Sequence, residues 1–185
     1  MDRPDEELLA NVAGGDVASL RELYERYRVR LMTYAYYAVG NRAQAEDVLQ
    51  EAFIRIYRHA GEFEPGKRFS AWAYAITANL CRDELRKSWR RRRLGFRADV
   101  DANEVQAPAR TISPRADAAG REFRDRLGAE VAALPPEQRE VIALRFLESL
   151  SYAEIAAVVG CPLGTVQSRI HAGVKALREK LGEFR

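Results

Sequence analysis

Two groups of polar side chains have the types and spacing to do chemistry on a nucleic acid. In the first, Gln167, Ser168, His171 and Lys175 fall on one side of a helical repeat, with Arg169 beside them. A glutamine amide can pair with an adenine edge in bidentate fashion, a serine hydroxyl can contact any base, and arginine can hold a phosphate or a base. In the second, Arg82, Arg86, Lys87 and an arginine run at 90–93 that begins with Arg90 follow Trp72, Tyr74 and Asn79. Cations hold phosphates while aromatic faces and amides receive unstacked bases, the division of labour used in single-strand binding. A charge run by itself usually marks a solvated face, and Trp72 and Tyr74, taken singly, also suit a core. Catalytic chemistry has no comparable set: no Ser/His/Asp or Cys/His arrangement, Gly-rich phosphate loop or carboxylate pair stands out. Cys81 and Cys161 lie eighty positions apart, and His59 and His171 are solitary. Neither a disulfide framework nor a metal site is expected, and the chain reads as a non-enzyme without cofactor.

The first group needs a helix-turn-helix to present it. Ser151 and Glu154 form an S-x-x-E capping box, which opens a short helix expected to bury Ile155, Ala156 and Val159. Gly160-Cys161-Pro162 then supplies a left-handed turn and a stop. Thr165 is expected to cap the next helix, with Val166, Ile170, Val174 or Gly173, Leu177 and Leu181 on its buried face. In this geometry the second helix enters the major groove and its N-terminal exposed residues face base edges. An ordinary helical hairpin with a solvated face is the plainer alternative.

The second group ends a helix of a different unit. Leu20, Leu23, Tyr24, Tyr27 and Leu31 recur at helical spacing, as do Leu49, Ala52, Phe53 and Ile56, and strand-like alternation is almost absent. Asp16 is placed to cap a long second helix that Gly40-Asn41 ends; a third helix is expected from about 42 to 60 and a fourth from 70 to about 93. These pack as one bundle. From 94 to 120 the periodicity disappears into Ala, Asp and Pro, a composition that cannot build a core. The expectation is an all-α chain of two small helical domains, 1–97 and 121–185, joined by a flexible linker over 98–120, with the helix-turn-helix in the second. Phe123, Leu127 and Val131 open that second domain, and Leu134-Pro135-Pro136 interrupts it before the next helix.

Charge separates the parts. Residues 1–64 carry eight Lys/Arg against twelve Asp/Glu, whereas 82–97 carry eight against two, which points to two partners of which one is anionic. On the third helix Glu46, Asp47, Gln50, Glu51 and Arg55 are left outward, with Ile54 an apolar residue among them. That pattern fits a protein-docking face with an apolar centre and a polar rim, or else a solvated helix. The N-terminus carries no targeting signal or membrane span, so the cytoplasm is the expected compartment and no membrane insertion is expected.

The order of parts resembles the extracytoplasmic-function group of the sigma-70 family of bacterial RNA polymerase. The resemblance is carried by Ala45-Glu46-Asp47-Val48-Leu49-Gln50-Glu51-Ala52-Phe53, by Phe69-Ser70-Ala71-Trp72 with Asn79-Leu80-Cys81-Arg82-Asp83-Glu84-Leu85-Arg86, by Leu134-Pro135-Pro136-Glu137-Gln138-Arg139, and by Tyr152-Ala153-Glu154-Ile155-Ala156 through Gly164-Thr165-Val166-Gln167-Ser168-Arg169-Ile170-His171. It implies that Asp47, Gln50, Glu51 and Ile54 dock on the beta-prime clamp helices of core polymerase. It implies that the loop holding Phe63, Lys67 and Arg68, with Asn79, Arg82, Arg86, Lys87 and Arg90, recognises the −10 promoter element with one base flipped out. Thr165, Gln167, Ser168, Arg169, His171 and Lys175 would serve the −35 element while their domain packs on the beta flap. An anti-sigma factor is a further implied partner. Two departures follow from the same comparison. Ala75 and Ile76 stand where housekeeping members carry a melting tryptophan pair, so strand opening should depend more on a good −10 element. Ala172 and Val174 stand where members often carry arginines, so the usual −35 sequence is not carried over. A free-standing helix-turn-helix regulator, dimeric on duplex DNA, is the alternative from another class; a helical RNA-binding or scaffold protein would rest on the arginine run alone.

Overall fold

The computed structural model describes residues 3–93, 126–131, 133–146 and 148–182, and every regular element among them is helical. The chain divides into two compact units, Met1–Val100 and Asp101–Arg185. The linker expected over 98–120, and Phe123 beyond it, lie outside the described residues.

The first unit contains α1 (Asp5–Ala13), α2 (Val17–Val39), α3 (Arg42–His59), a 3-10 turn (Ala60–Glu62) and α4 (Phe69–Arg93). Asp16 caps α2 by accepting from the Ala18 N–H, and Gly40 closes that helix at φ 73°, in the left-handed region where the missing Cβ removes the penalty. Asn41, read from sequence as part of that stop, also starts α3 by accepting from Gln44 N. Helix α3 packs against both α2 and α4, and fully buried Ala45 and Ala52 keep its approach close. Around it Leu8, Leu23, Leu31, Ile56 and Phe69 are removed from solvent, each worth about 1.5–3 kcal/mol of transfer free energy. Edge-to-face ring pairs join the helices: Tyr27 with Phe69 at 4.9 Å and Tyr34 with Tyr74 at 5.3 Å. Tyr74 is therefore a core residue, which removes it from the base-binding group suggested by the sequence.

In the second unit a helical stretch at 126–131 precedes α5 (Pro136–Phe146), α6 (Tyr152–Val159) and α7 (Leu163–Gly182). Pro136 opens α5, a position that requires no N–H. Both halves of the Ser151/Glu154 capping box are present, and Gly160 ends α6 at φ 69°. Two details differ from the sequence expectation. Helix α6 buries Ile155 and Val158, with Ala156 and Val159 only half-buried; the i, i+3 pair faces the core while Val159 falls at its margin next to the turn. Helix α7 begins two residues before Thr165, because the Pro162 carbonyl accepts from Thr165 N at 2.9 Å and Val166 N at 3.2 Å. Thr165 thus lies in the first turn and is not the cap. The buried face of α7 is Val166, Ile170 and Gly173, with Val174, Leu177 and Leu181 half-buried. Gly173 meets α5 so closely that a Cβ there would lie 2.9 Å from Ile142 Cγ1. Among the described residues no helix is long and apolar enough to cross a membrane.

Candidate nucleic-acid and protein interfaces

Helix α7 presents Gln167, Ser168, His171 and Lys175 as an exposed row, produced by the 3.6-residue repeat once Val166, Ile170 and Gly173 turn inward. The Ser168 hydroxyl donates to the Thr165 carbonyl at 3.0 Å, which holds its oxygen close to the helix surface. Arg169 departs from the row. Its guanidinium turns toward α5, donating to Glu137 at 2.6 Å and lying 3.7 Å from the Cys161 sulfur. The sequence reading of Arg169 as an outward phosphate or base ligand missed this partner, because Glu137 lies 32 residues earlier.

On α4 the aromatic and basic features separate. Trp72 is half-buried, with Phe63 packed against it at a ring distance of 5.4 Å and Phe69 at 6.3 Å. Asn79 is exposed seven residues further on, and Arg82 donates to its side-chain oxygen. Lys67 in the connecting loop pairs with Glu64 at 2.7 Å, and Arg68 is exposed. Further along, Arg86 is paired with Asp83, Lys87 lies 3.3 Å from Glu84, and Arg90 is exposed. The Arg86 hydrogen bond holds the Asp83 carboxyl below its ordinary range, with the charges of Arg86, Arg55 and Lys87 adding to it against the opposing effect of burial. Asp83 therefore stays ionised near neutrality and offsets part of the basic run. Trp89, 61% exposed beside exposed Leu85, is an aromatic on this face that the sequence reading passed over. The i, i+4 spacing of two apolar residues inside a charged helix was the signal.

On α3 the structure brings the expected docking residues to one side. Asp47 and Gln50 are exposed, Glu51 is half-exposed and paired with Arg55 at 2.9 Å, and Ile54 is 36% exposed. Beside them an open apolar groove runs between α2 and α3, lined by Leu20, Tyr24, Leu49, Phe53, Ile54 and Tyr57. The α2 contribution was not legible from α3 alone. Among the described residues no group of three or more His, Cys, Asp or Glu is arranged to hold a metal ion.

Comparison with known proteins gives these surfaces a context. Residues 23–91 match the family model for Sigma-70 region 2, and residues 124–177 that for Sigma-70, region 4. The ECF RNA polymerase sigma factor SigW of Bacillus subtilis is 32% identical over 181 residues, covering 95% of this chain and 96% of its own length. The ECF RNA polymerase sigma factor SigE of Mycolicibacterium smegmatis is 38% identical over 179 residues, covering 92% of this chain; the chain spans 66% of that relative. Among solved structures, CnrH in complex with the cytosolic domain of CnrY superposes with a TM-score of 0.64 at 25% identity, covering 98% of this chain and 99% of that one.

Proposed function

The chain belongs to the extracytoplasmic-function sigma factors of the sigma-70 family, and from that membership we propose that it directs core RNA polymerase to promoters through −10 and −35 recognition. The observation that carries the reading is that both matched regions stand in order on one chain, each in its own folded unit. The sigma factor itself contributes binding and selective base capture, and the nucleotidyl chemistry stays with the polymerase. Helix α3, through Asp47, Gln50, Glu51 and Ile54, is assigned to the beta-prime clamp helices. Its groove with α2 suits such a partner because an apolar centre ringed by polar groups is the common anatomy of a protein interface. The loop with Phe63, Lys67 and Arg68, together with Asn79, Arg82, Arg86, Lys87 and Arg90, is assigned to the −10 element, and the exposed row of α7 to the −35 element with its domain on the beta flap. An anti-sigma factor is a further proposed partner; the similar CnrH was solved with a bound protein, the cytosolic domain of CnrY.

The deciding experiment is a titration of core polymerase with the purified chain followed by transcription from a promoter library. Gln50→Ala with Glu51→Ala is expected to weaken polymerase binding about tenfold, or ~1.4 kcal/mol. Its fold should be intact, since exposed helical positions tolerate alanine. Unchanged affinity would remove the docking assignment, and failure of the parent chain to bind polymerase at all would remove the function.

For α7 the expected result is positional. Gln167→Ala should alter preference at one or two −35 positions, each by about 1–3 kcal/mol, the worth of a paired base contact. A uniform loss across every −35 variant would show that Gln167 contributes no base readout.

A further inference from the structure

The family match to region 2 begins at residue 23, so α1 lies outside it. Yet α1 is fixed to the unit with unusual thoroughness. Leu8, Leu9 and Val12 are 0–2% exposed. Arg26 of α2 bridges Asp5, at 2.6 Å, and Glu22; the Tyr27 hydroxyl also donates to Asp5; and Arg3 pairs with Glu22. From this fixed base the Glu6 carboxylate accepts a hydrogen bond at 2.9 Å from the backbone N–H of Phe69, sixty-three residues away.

That N–H is the first of α4. The preceding residue, Arg68, gives its carbonyl to Trp72 N, so Phe69 N is one of the donors that a helix start leaves without an internal partner. A carboxylate there is a charge-assisted cap, also favoured by the helix dipole. It is supplied by a separate helix and not by the residue preceding the turn. The loop that ends at this cap is the one assigned to the −10 element. Its entry is the 3-10 turn at Ala60–Glu62, against which α1 also packs. Between these ends the loop is held by the Phe63 and Trp72 ring contact, by the Lys67 N to Glu64 carbonyl bond at 3.3 Å, and by a reversal at Gly66 with φ 84°. Helix α1 therefore touches both ends of a loop whose middle is exposed.

We propose that α1 is a brace for the −10 reading loop and that Glu6 is a positioning residue, holding the loop's exit and the first turn of α4 in the orientation that captures promoter bases. The proposal rests on the assignment of that loop to the −10 element. Glu6 itself touches no DNA in this scheme; it acts through Phe69 and Arg68.

The test uses the full chain with core polymerase and two substitutions: Glu6→Ala, which removes the acceptor, and Glu6→Gln, which keeps a neutral oxygen in reach. Glu6→Ala should lower transcription from good −10 elements about tenfold and flatten −10 preference, while Glu6→Gln stays within about threefold of the parent, the difference between a lost and a weakened charged hydrogen bond. Polymerase affinity and −35 preference should not move. A readout free of DNA accompanies it: in a Trp89→Phe background, acrylamide quenching of Trp72 should rise in Glu6→Ala. Unchanged quenching, or a loss of polymerase affinity parallel to the loss of transcription, overturns the brace. Raised quenching with an unmoved −10 preference overturns the functional consequence; if Asn79→Ala and Lys67→Ala then leave −10 preference unmoved as well, the fault lies in the loop's assignment and not in α1.

Discussion

A promoter whose spacer between the −10 and −35 elements is lengthened or shortened by five base pairs is expected to lose transcription by this sigma factor about a hundredfold. Each element is short, so neither unit alone holds a promoter firmly; joined and mounted together on polymerase, the second contact becomes effectively intramolecular. That advantage is lost when geometry forbids simultaneous engagement. Five base pairs rotate one element by about half a turn around the duplex and move it by about 17 Å, so the exposed row of α7 and the loop before α4 can no longer meet their sites at once. Transcription from a spacer-length series measures it, together with a gel shift of the free chain, which should show only weak duplex binding. Tight sequence-specific binding by the free protein combined with indifference to spacer length would reverse the reading in favour of a free-standing regulator.

The second large effect is on stability. Gly173 lies at the crossing of α7 with α5, where a Cβ would sit 2.9 Å from Ile142 Cγ1, 3.3 Å from Ile142 Cδ1 and 3.6 Å from Gln138 Cβ. Gly173→Val gains a few tenths of a kcal/mol in helix propensity but forces a branched side chain into that contact. Overpacking of this kind costs about 1–3 kcal/mol. In a domain of this size that lowers its melting temperature by roughly 5–20 °C, and −35-dependent transcription should fail at correspondingly lower temperature. Polymerase docking through α3, in the other unit, should survive. Calorimetry that resolves the two units checks the outcome. Gly173→Val melting with the parent would show that α5 yields at no cost.

The parts of this fold that local chemistry dictates are legible in the amino-acid sequence. Asp16, Gly40, Ser151 with Glu154, and Gly160 each satisfy or end a helix terminus within a few residues of themselves, and each stands where the sequence placed it. The exposed row of α7 followed from periodicity alone. What was not legible depends on partners distant in sequence or on helix margins. Thr165 looked like a cap because threonine often is one, but the helix starts at Leu163, with the Pro162 carbonyl accepting its first hydrogen bonds. Val159 and Val158 have the same composition signal and differ only in which side of α6 meets the core. Arg169 is drawn to Glu137, Tyr74 to Tyr34, and Glu6 to Phe69; nothing in the spacing of a single helix announces a partner from another. The ion pairs of Arg86 with Asp83 and of Lys87 with Glu84 are local, three residues apart in each case, and the two acidic residues were already visible in the charge count of the run.

The division of labour along α7 also has an evolutionary side. Folding depends on Val166, Ile170 and Gly173, while Gln167, Ser168, His171 and Lys175 stand in solvent on the opposite face, where most substitutions change stability by no more than about 0.5 kcal/mol. A duplicated copy of such a gene can therefore drift at those four positions without crossing its folding threshold. On the proposed assignment of that row to the −35 element, promoter preference can change there at little cost to foldability, so the two traits are open to separate selection.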